Sequence, residues 1–318
     1  MKINENYTKI RAIADEVEKV IVGKRGVVKL LLIALLSGGH VLIEDVPGVG
    51  KTTLATALGR SMGLSCKRVQ FTPDVMASDI TGFTMFNKET NEFEYRQGLV
   101  MCNIFLADEI NRTSPKTQSA LLEAMEEQTV TIDSQIHRLP SPFMVIATQN
   151  EVGYVGTYPL PEAQLDRFLM KISMGYPTLE QEIDIITERR LQNPISEIRP
   201  ICSKDELNEI IEGVRKINIE GSIYEYIVKL VSATRSHRAV MLGASPRASL
   251  MLMRASQSCA FVSGRDYVIP EDVQQMFPHV LSHRLILTQD AKIRKVYEID
   301  VLNDIARSVN PPFTRKPQ

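Results

Sequence analysis

The chain is poor in the features that would take it out of the ordinary globular class. Its 318 residues carry a net charge of only −1, so no excess of either sign offers a field to nucleic acid or to an anionic membrane, and no nucleic-acid partner is expected. No apolar run approaches the ~20 residues a membrane-crossing helix needs. The densest, Leu30 to Leu36, is far too short. No cleavable secretion signal is legible, and a cytoplasmic location is the expectation. Only four cysteines are present, Cys66, Cys102, Cys202 and Cys259, and no two form a C-x-x-C pair; buried free thiols in a reducing compartment are expected. The triplets Asn6-Tyr7-Thr8 and Asn111-Arg112-Thr113 match the glycosylation pattern but mean nothing without secretion. Internal repeats and low-complexity segments are lacking too. What remains is a chain with 44% hydrophobic and 24% charged residues, ordinary values for a globular protein of about two domains.

The pattern changes near residue 178. Between about 40 and 172, short apolar runs bounded by polar residues or glycine (His40 to Ile43, Asn103 to Ala107, Phe143 to Thr148) read as buried parallel strands. Helices fall between them. One starts at Lys51 and stops near Gly63; another has Ser114 as cap, Pro115 at its first position, and Ala120, Leu121, Ala124 and Met125 on its apolar face. Alternating strand and helix predicts an α/β parallel sheet over 1–178. Beyond it, Thr178 to Gln181 and Ser203 to Glu206 are capping boxes. Helical runs follow each, and again after Ser222, Ser245 and Pro270, with no convincing strand pair. Residues 179–318 therefore read as an all-helical domain, which the family resemblance given below makes the lid, with a loose tail from Asn310.

The stretch Ile43-Glu-Asp-Val-Pro-Gly-Val-Gly-Lys-Thr-Thr53 nearly matches the phosphate-binding loop G-x-x-x-x-G-K-[ST], but Asp45 stands where the first glycine belongs. A triphosphate needs inward-pointing backbone N–H groups, a helix N-terminus behind them and one lysine. Gly48 and Gly50 let the backbone curl, Lys51 reaches the β and γ phosphates, and the Thr52 hydroxyl is placed on Mg2+. A strand before and a helix after supply the right context. The later residues form the anion cradle, so Asp45 need not touch phosphate. The triphosphate-binding loop thus runs Pro47, Gly48, Val49, Gly50, Lys51, Thr52, Thr53; ATP is the nucleotide that the family resemblance described below implies. Asp108 and Glu109 end the apolar run Ile104-Phe-Leu-Ala, 57 positions after Lys51. Asp108 is placed to hold the magnesium shell and Glu109 to polarise the attacking water. The bland alternative is a strand ending in two solvated acids.

Two features imitate a GTPase: Asp79-Ile-Thr-Gly82 and Asn87-Lys88. Eight positions separate them, too few for the strand and helix that lie between such switches, and Glu89-Thr90 follows instead of x-Asp. His279 and His283 have the i, i+4 spacing of helical metal sites, but no carboxylate or cysteine cluster joins them, and Pro278 sets His279 at a helix edge. Packing or surface histidines are expected there.

With these residues in view, the chain resembles the MoxR family of AAA+ ATPases over nearly its whole length. The resemblance is carried by Asp45 to Thr52, Gln70-Phe-Thr-Pro-Asp74 with Ser78 to Gly82, Leu106-Ala-Asp-Glu-Ile-Asn-Arg112, Thr117 to Glu126, Thr157-Tyr-Pro-Leu-Pro-Glu-Ala-Gln-Leu-Asp-Arg167 and Gly243-Ala-Ser-Pro-Arg247. An Asp before V-P-G is a variation this family accepts. The resemblance implies a sensor-1 role for Asn150, beside the γ-phosphate and the water; Glu151 follows where the family usually has proline. It implies an arginine finger at Arg167, for which a structural ion pair with Asp166 is the alternative. Arg247 matches sensor 2, with Ser245 capping its helix and Pro246 at the first position, in the first turn and able to point at phosphate. Whether it serves its own site or a neighbour's stays open. Ile21-Val22-Gly23-Lys24 resembles the adenine-side loop, with Val22 and Gly23 at the base; a helix start is the alternative.

Gly153-Tyr-Val-Gly156 looks like an aromatic pore loop, but such loops lie between the two acid and phosphate motifs, and this one follows sensor 1. It reads as a turn-rich loop near a subunit contact. The better pore candidate is a hairpin over Phe83 to Gly98, where the family carries its helix-2 insert, with a second hairpin over Thr129 to Arg138. The resemblance further implies a ring, expected as a hexamer, performing chaperone-like remodelling of a client: activation, assembly or metal insertion, often with a separate von Willebrand factor A-type partner. A chelatase-like motor subunit, a DNA-associated AAA+ module and a scaffold that binds ATP without turnover are the rivals. The near-neutral charge weighs against DNA, and the joint presence of Glu109, Asn150 and Arg167 against the scaffold.

Overall fold

The computed structural model describes residues 3–45, 48–149, 158–188 and 194–312. Along the chain, α1 (Ile3–Glu18) and α2 (Arg25–Leu36) lead into β1 (Val41–Glu44), α3 (Lys51–Ser61) and β2 (Cys66–Gln70). A short α4 (Ala77–Thr81) precedes the strands β3 (Gly82–Asn87), β4 (Glu92–Gln97) and β5 (Ile104–Asp108). Then come α5 (Pro115–Glu127), β6 (Thr129–Ile132), β7 (Gln135–Arg138), β8 (Met144–Gln149), α6 (Glu162–Leu165) and β9 (Met170–Ile172). The remainder is mostly helix: α7 (Leu179–Glu188), α8 (Lys204–Val214), α9 (Gly221–Ser236), β10 (Val240–Leu242), α10 (Pro246–Val262), α11 (Pro270–Leu281), β11 (Ile286–Leu287), α12 (Gln289–Ile293) and α13 (Glu298–Ser308).

Five strands form one wholly parallel sheet in the order β2-β5-β8-β1-β9. Its three predicted strands, β1, β5 and β8, occupy the middle, where both faces are covered, which is why they read as unbroken apolar runs. Alternate residues serve opposite faces. Val41, Ile43, Ile104, Leu106, Met144 and Ile146 belong to a core shared with α1 to α3. Leu42, Phe105, Ala107, Val145 and Ala147 pack with Leu121, Leu122 and Ala124 of α5. The outer strands escaped the pattern: β2 reads C-K-R-V-Q and β9 is three residues long.

Both predicted hairpins form. β3 pairs β4 from Gly82↔Gln97 to Asn87↔Glu92, and β6 pairs β7 from Thr129↔Arg138 to Ile132↔Gln135. Tyr95 of the first stacks on His137 of the second at 3.8 Å between ring centres. Farther out, Phe86 and Phe93 meet edge to face at 5.3 Å, and Phe93 remains 75% exposed.

Both capping boxes beyond residue 177 are made. The expectation of no strand pair there is corrected by β10 and β11, which pair antiparallel. A two-residue ladder is too short to leave a period-2 signature. A second correction concerns Pro278, which lies inside α11 and leaves His279 within the helix. Burial of Phe277, Val280 and Leu281 offsets the hydrogen bond the proline removes. His283 falls beyond α11, buried, with its Nε2 on the Phe168 carbonyl at 3.1 Å; it is a packing residue. No helix among the described residues is long and apolar enough to cross a membrane. Cys102, Cys202 and Cys259 are buried and Cys66 partly so, all four as free thiols.

His40 joins the two sides of the sheet. The Val145 N–H donates to its Nδ1 at 3.0 Å, which leaves the proton on Nε2, 3.0 Å from the Met125 carbonyl. Burial pushes its pKa down to about 4, despite the Met125 carbonyl and Glu126. Between the ordinary histidine value and that figure, the unfolded chain binds a proton that the folded chain does not, so stability falls as pH is lowered through this window. A shift of this size is worth roughly 3 kcal/mol. Urea unfolding from pH 7 down to pH 4.5 should therefore show a steeper loss for the wild type than for His40→Gln; parallel curves would remove His40 from the account.

Candidate functional site

The carboxyl ends of β1, β2, β5 and β8 open on one edge of the sheet, where ligands of parallel α/β folds collect. Gly48 (φ 86°) and Gly50 (φ 91°) turn the loop in the left-handed region. A Cβ on either would meet nothing within 4 Å, so conformation, not space, demands glycine there. Gly50 is the N-cap of α3, and Lys51, Thr52 and Thr53 of its first turn line a cavity with Gly48 and Gly50, at the end of a helix where backbone N–H groups lack helical partners. Lys51 is buried, and its Nζ donates to the Asp45 carbonyl at 3.0 Å. Burial lowers its pKa from the ordinary lysine value, while Asp45, Asp108 and Glu109 act in the opposite sense.

The Asp45 carboxylate turns away from this cavity. Its Oδ2 accepts the backbone N–H of Met174 and that of Gly175, the latter at 2.9 Å, and the Ser173 hydroxyl at 3.3 Å. The missing glycine is thus replaced by an anchor for the segment after β9.

Asp108 ends β5 in a cavity of 320 Å³ lined by Lys51, Thr52, Thr53, Arg68, Glu109 and Thr148 among others. Thr148 ties the two acids together. Its hydroxyl donates to Asp108 Oδ1 at 3.2 Å and accepts the Glu109 N–H at 2.9 Å. Glu109 stands in the left-handed region (φ 56°, ψ 48°), uncommon for a residue with a side chain, and its carboxylate takes Arg112 Nη1 at 2.9 Å. Arg68 Nε lies 2.6 Å from Asp108 Oδ2. Among the described residues no cluster of three or more His, Cys, Asp or Glu side chains forms a metal site by itself; the Thr52 hydroxyl and the Asp108 carboxylate, which line this cavity, are hard oxygen donors of the kind Mg2+ takes alongside phosphate and water.

A second cavity, of 330 Å³, continues from the phosphate loop. Val22 lines it with Gly48, Val49 and Gly50, and Tyr176, Ile185 and Ile186 close the far side. Gly23 (φ 71°) lies against α7, where a Cβ would displace the Gln181 side chain, and its left-handed conformation favours glycine. Val22 lines this space, and the Val22-Gly23 turn lies just ahead of α2, which begins at Arg25.

Arg167 and Arg247 converge elsewhere. Arg247 pairs with Glu126, and Arg167 Nε lies 3.9 Å from the same carboxylate. The three line a separate 480 Å³ cavity with His40, Met125 and Arg254. Asp166, the alternative partner for Arg167, is taken instead by the buried Arg284 at 2.8 Å and by the Ser245 hydroxyl at 3.0 Å. Ser245 therefore sits at the N-cap of α10 without capping it through its side chain, a correction to the expected bond: Asp166 is the stronger acceptor for the hydroxyl. Pro47, Asn150, Glu151, the Gly153 to Gly156 loop and the tail from 313 lie outside the described residues.

Sequence reasoning missed Arg68, Thr148 and Glu126. Thr148 was within reach, since it ends a buried strand at the ligand edge of the sheet. Arg68 lies on the unrecognised β2, and Glu126 shows its partners only in three dimensions.

The profile of the ATPase family associated with various cellular activities (AAA) matches residues 40–170, and that of the AAA lid domain residues 232–305. YeaC of Bacillus subtilis is 50% identical over 95% of this chain and 94% of its own. Chaperone MoxR1 of Mycobacterium tuberculosis is 43% identical over 97% and 83%. The crystal structure of a predicted ATPase from Cytophaga hutchinsonii superposes with a TM-score of 0.92 at 40% identity, covering 98% of this chain and 97% of that one. A phosphate loop, two acids at the end of β5 and a helical lid, carried at this identity over almost the full length, leave one assignment: the chain belongs to the MoxR family of AAA+ ATPases.

Proposed function

We propose that the chain binds ATP with Mg2+ at the phosphate loop and hydrolyses it within a ring, a hexamer, in which Arg167 and Arg247 act on the nucleotide of the next subunit. One observation carries this reading: the two arginines share Glu126 in a cavity that contains none of the phosphate-loop residues. Set apart from its own phosphate loop, the pair is placed to act on a triphosphate held by another chain. Cations delivered in trans are effective where charge builds up on the transferring phosphoryl group.

Within one subunit, Lys51 and the α3 N-terminus hold the phosphates, Val22 and Gly23 border the base, and Thr52 and Asp108 hold the metal. When bound, Mg2+ neutralises phosphate charge. Glu109 takes the proton of the attacking water, and the family resemblance gives Asn150 the sensor-1 role. Residues 1–178 act as the nucleotide-binding domain and 179–318 as the lid. The exposed Phe93 and Ile136 of the paired hairpins give the ring apolar contacts for a client, which it activates, assembles or loads with metal in the cytoplasm, with a von Willebrand factor A-type protein as adaptor. The kinship with Chaperone MoxR1 supports chaperone-like work.

The test is ATP hydrolysis against protein concentration, with particle mass read on the same samples. Specific activity should rise as a multimer forms. Activity that is constant from the monomer upward would sink the shared-site reading.

A further inference from the structure

Asp45 and Lys24 grip one short segment from opposite sides. The Asp45 carboxylate, 8% exposed, accepts the N–H groups of Met174 and Gly175 and the hydroxyl of Ser173. The Lys24 ammonium donates to the carbonyls of Met174 at 2.6 Å, Gly175 at 3.2 Å and Tyr176 at 2.9 Å. An anion thus takes the segment's donors and a cation its acceptors. Every one of these bonds is charge-assisted, the stronger class of hydrogen bond.

The location gives the grip a purpose. Asp45 follows β1 and opens the phosphate loop, while Lys24 follows Val22 and Gly23. The gripped segment continues into Tyr176 and Pro177, which wall the apolar cavity beside Gly48 and Gly50. The backbone carbonyl of Asp45 meanwhile receives Lys51. One residue therefore holds the phosphate-binding lysine with its main chain and the wall of the neighbouring cavity with its side chain.

We infer that Asp45 and Lys24 are positioning residues for the nucleotide base: they fix the wall at 174–177 in register with the phosphate loop, so that the affinity contributed by the base depends on them and the affinity contributed by the phosphates does not. The inference rests on the reading that ATP occupies this site. It also gives the aspartate at the first-glycine position a use that glycine could not serve, because glycine would leave the Met174 and Gly175 N–H groups without that acceptor. The Lys51 contact would survive the exchange, since it is made to the main chain.

The experiment is calorimetric titration of the full chain with ATP and, separately, with inorganic tripolyphosphate, a ligand that has the phosphates and no base. Asp45→Gly and Lys24→Met should each weaken ATP by roughly tenfold to a hundredfold, the range for lost charge-assisted bonds, and leave tripolyphosphate within about threefold of wild type, the small change expected from removing one charge near Lys51 and the phosphate loop. Asp45→Asn, which keeps one acceptor oxygen, should fall between Asp45→Gly and wild type for ATP. Should Asp45→Gly fail to fold, Lys24→Met carries the same comparison. Equal weakening of both ligands would make the pair a general support of the loop and overturn the inference, as would unchanged ATP affinity in both variants. A wild-type chain that binds neither ligand overturns the ATP reading itself, and this inference with it.

Discussion

Replacing Glu109 by glutamine is expected to leave ATP binding essentially unchanged and to reduce turnover by roughly 10²- to 10⁴-fold, the usual contribution of a positioned general base. The substitution keeps the side-chain length and leaves the main-chain bond from the Glu109 N–H to Thr148 in place. It removes only the charge that accepts the water's proton and that now pairs with Arg112. Arg112 is half exposed, and a surface pair of this kind contributes little to stability, so the variant should melt with the wild type. Calorimetric ATP binding and phosphate release on one preparation separate the two effects. Turnover within threefold of wild type would take the base role away from Glu109.

Arg167→Ala should lower the rate by roughly 10³- to 10⁵-fold, the range for a finger supplied in trans, while the assembled particle keeps its mass. A mixture makes the sharper version of this prediction. The Arg167→Ala chain retains an intact base and the Glu109→Gln chain an intact finger, each inactive alone. In randomly mixed rings with head-to-tail contacts, about one interface in four joins the good base to the good finger, and activity should return to that order. Absence of complementation in particles verified as mixed would mean that Arg167 acts within its own chain or serves only structure. Arg247→Ala should complement in the same way, because it shares Glu126 with Arg167.

Legibility in the sequence followed the range of the interactions. The strands β1, β5 and β8 were readable because burial on both faces leaves an unbroken apolar run, and both hairpins because their turns are marked by polar clusters. Gly48, Gly50, Lys51, Thr52 and Thr53 and the acids Asp108 and Glu109, which the fold brings to one cavity, stood out because each group is a run of near neighbours in sequence. β2 and β9 were not, since an edge strand needs only one covered face and three residues hold no period. The site's long-range partners were equally hidden. Arg68 on Asp108, Glu126 between two arginines and Asp45 on the segment after β9 join residues 40 to 130 positions apart, and no local rule constrains such pairs. Ser245 looked like a helix cap and holds the Asp166 carboxylate instead, because a tertiary acceptor outcompeted the local one.

The core shared by the sheet and the later helices has a consequence for synthesis. Ile10, Ile13, Leu31 and Leu32 of α1 and α2 are covered in part by α8 and α10, and α10 begins at Pro246. A ribosome working at roughly 5–20 residues per second delivers that cover only about 10–40 s after α2 has emerged. Throughout that interval the nascent chain presents an unpaired greasy stripe to whatever is near.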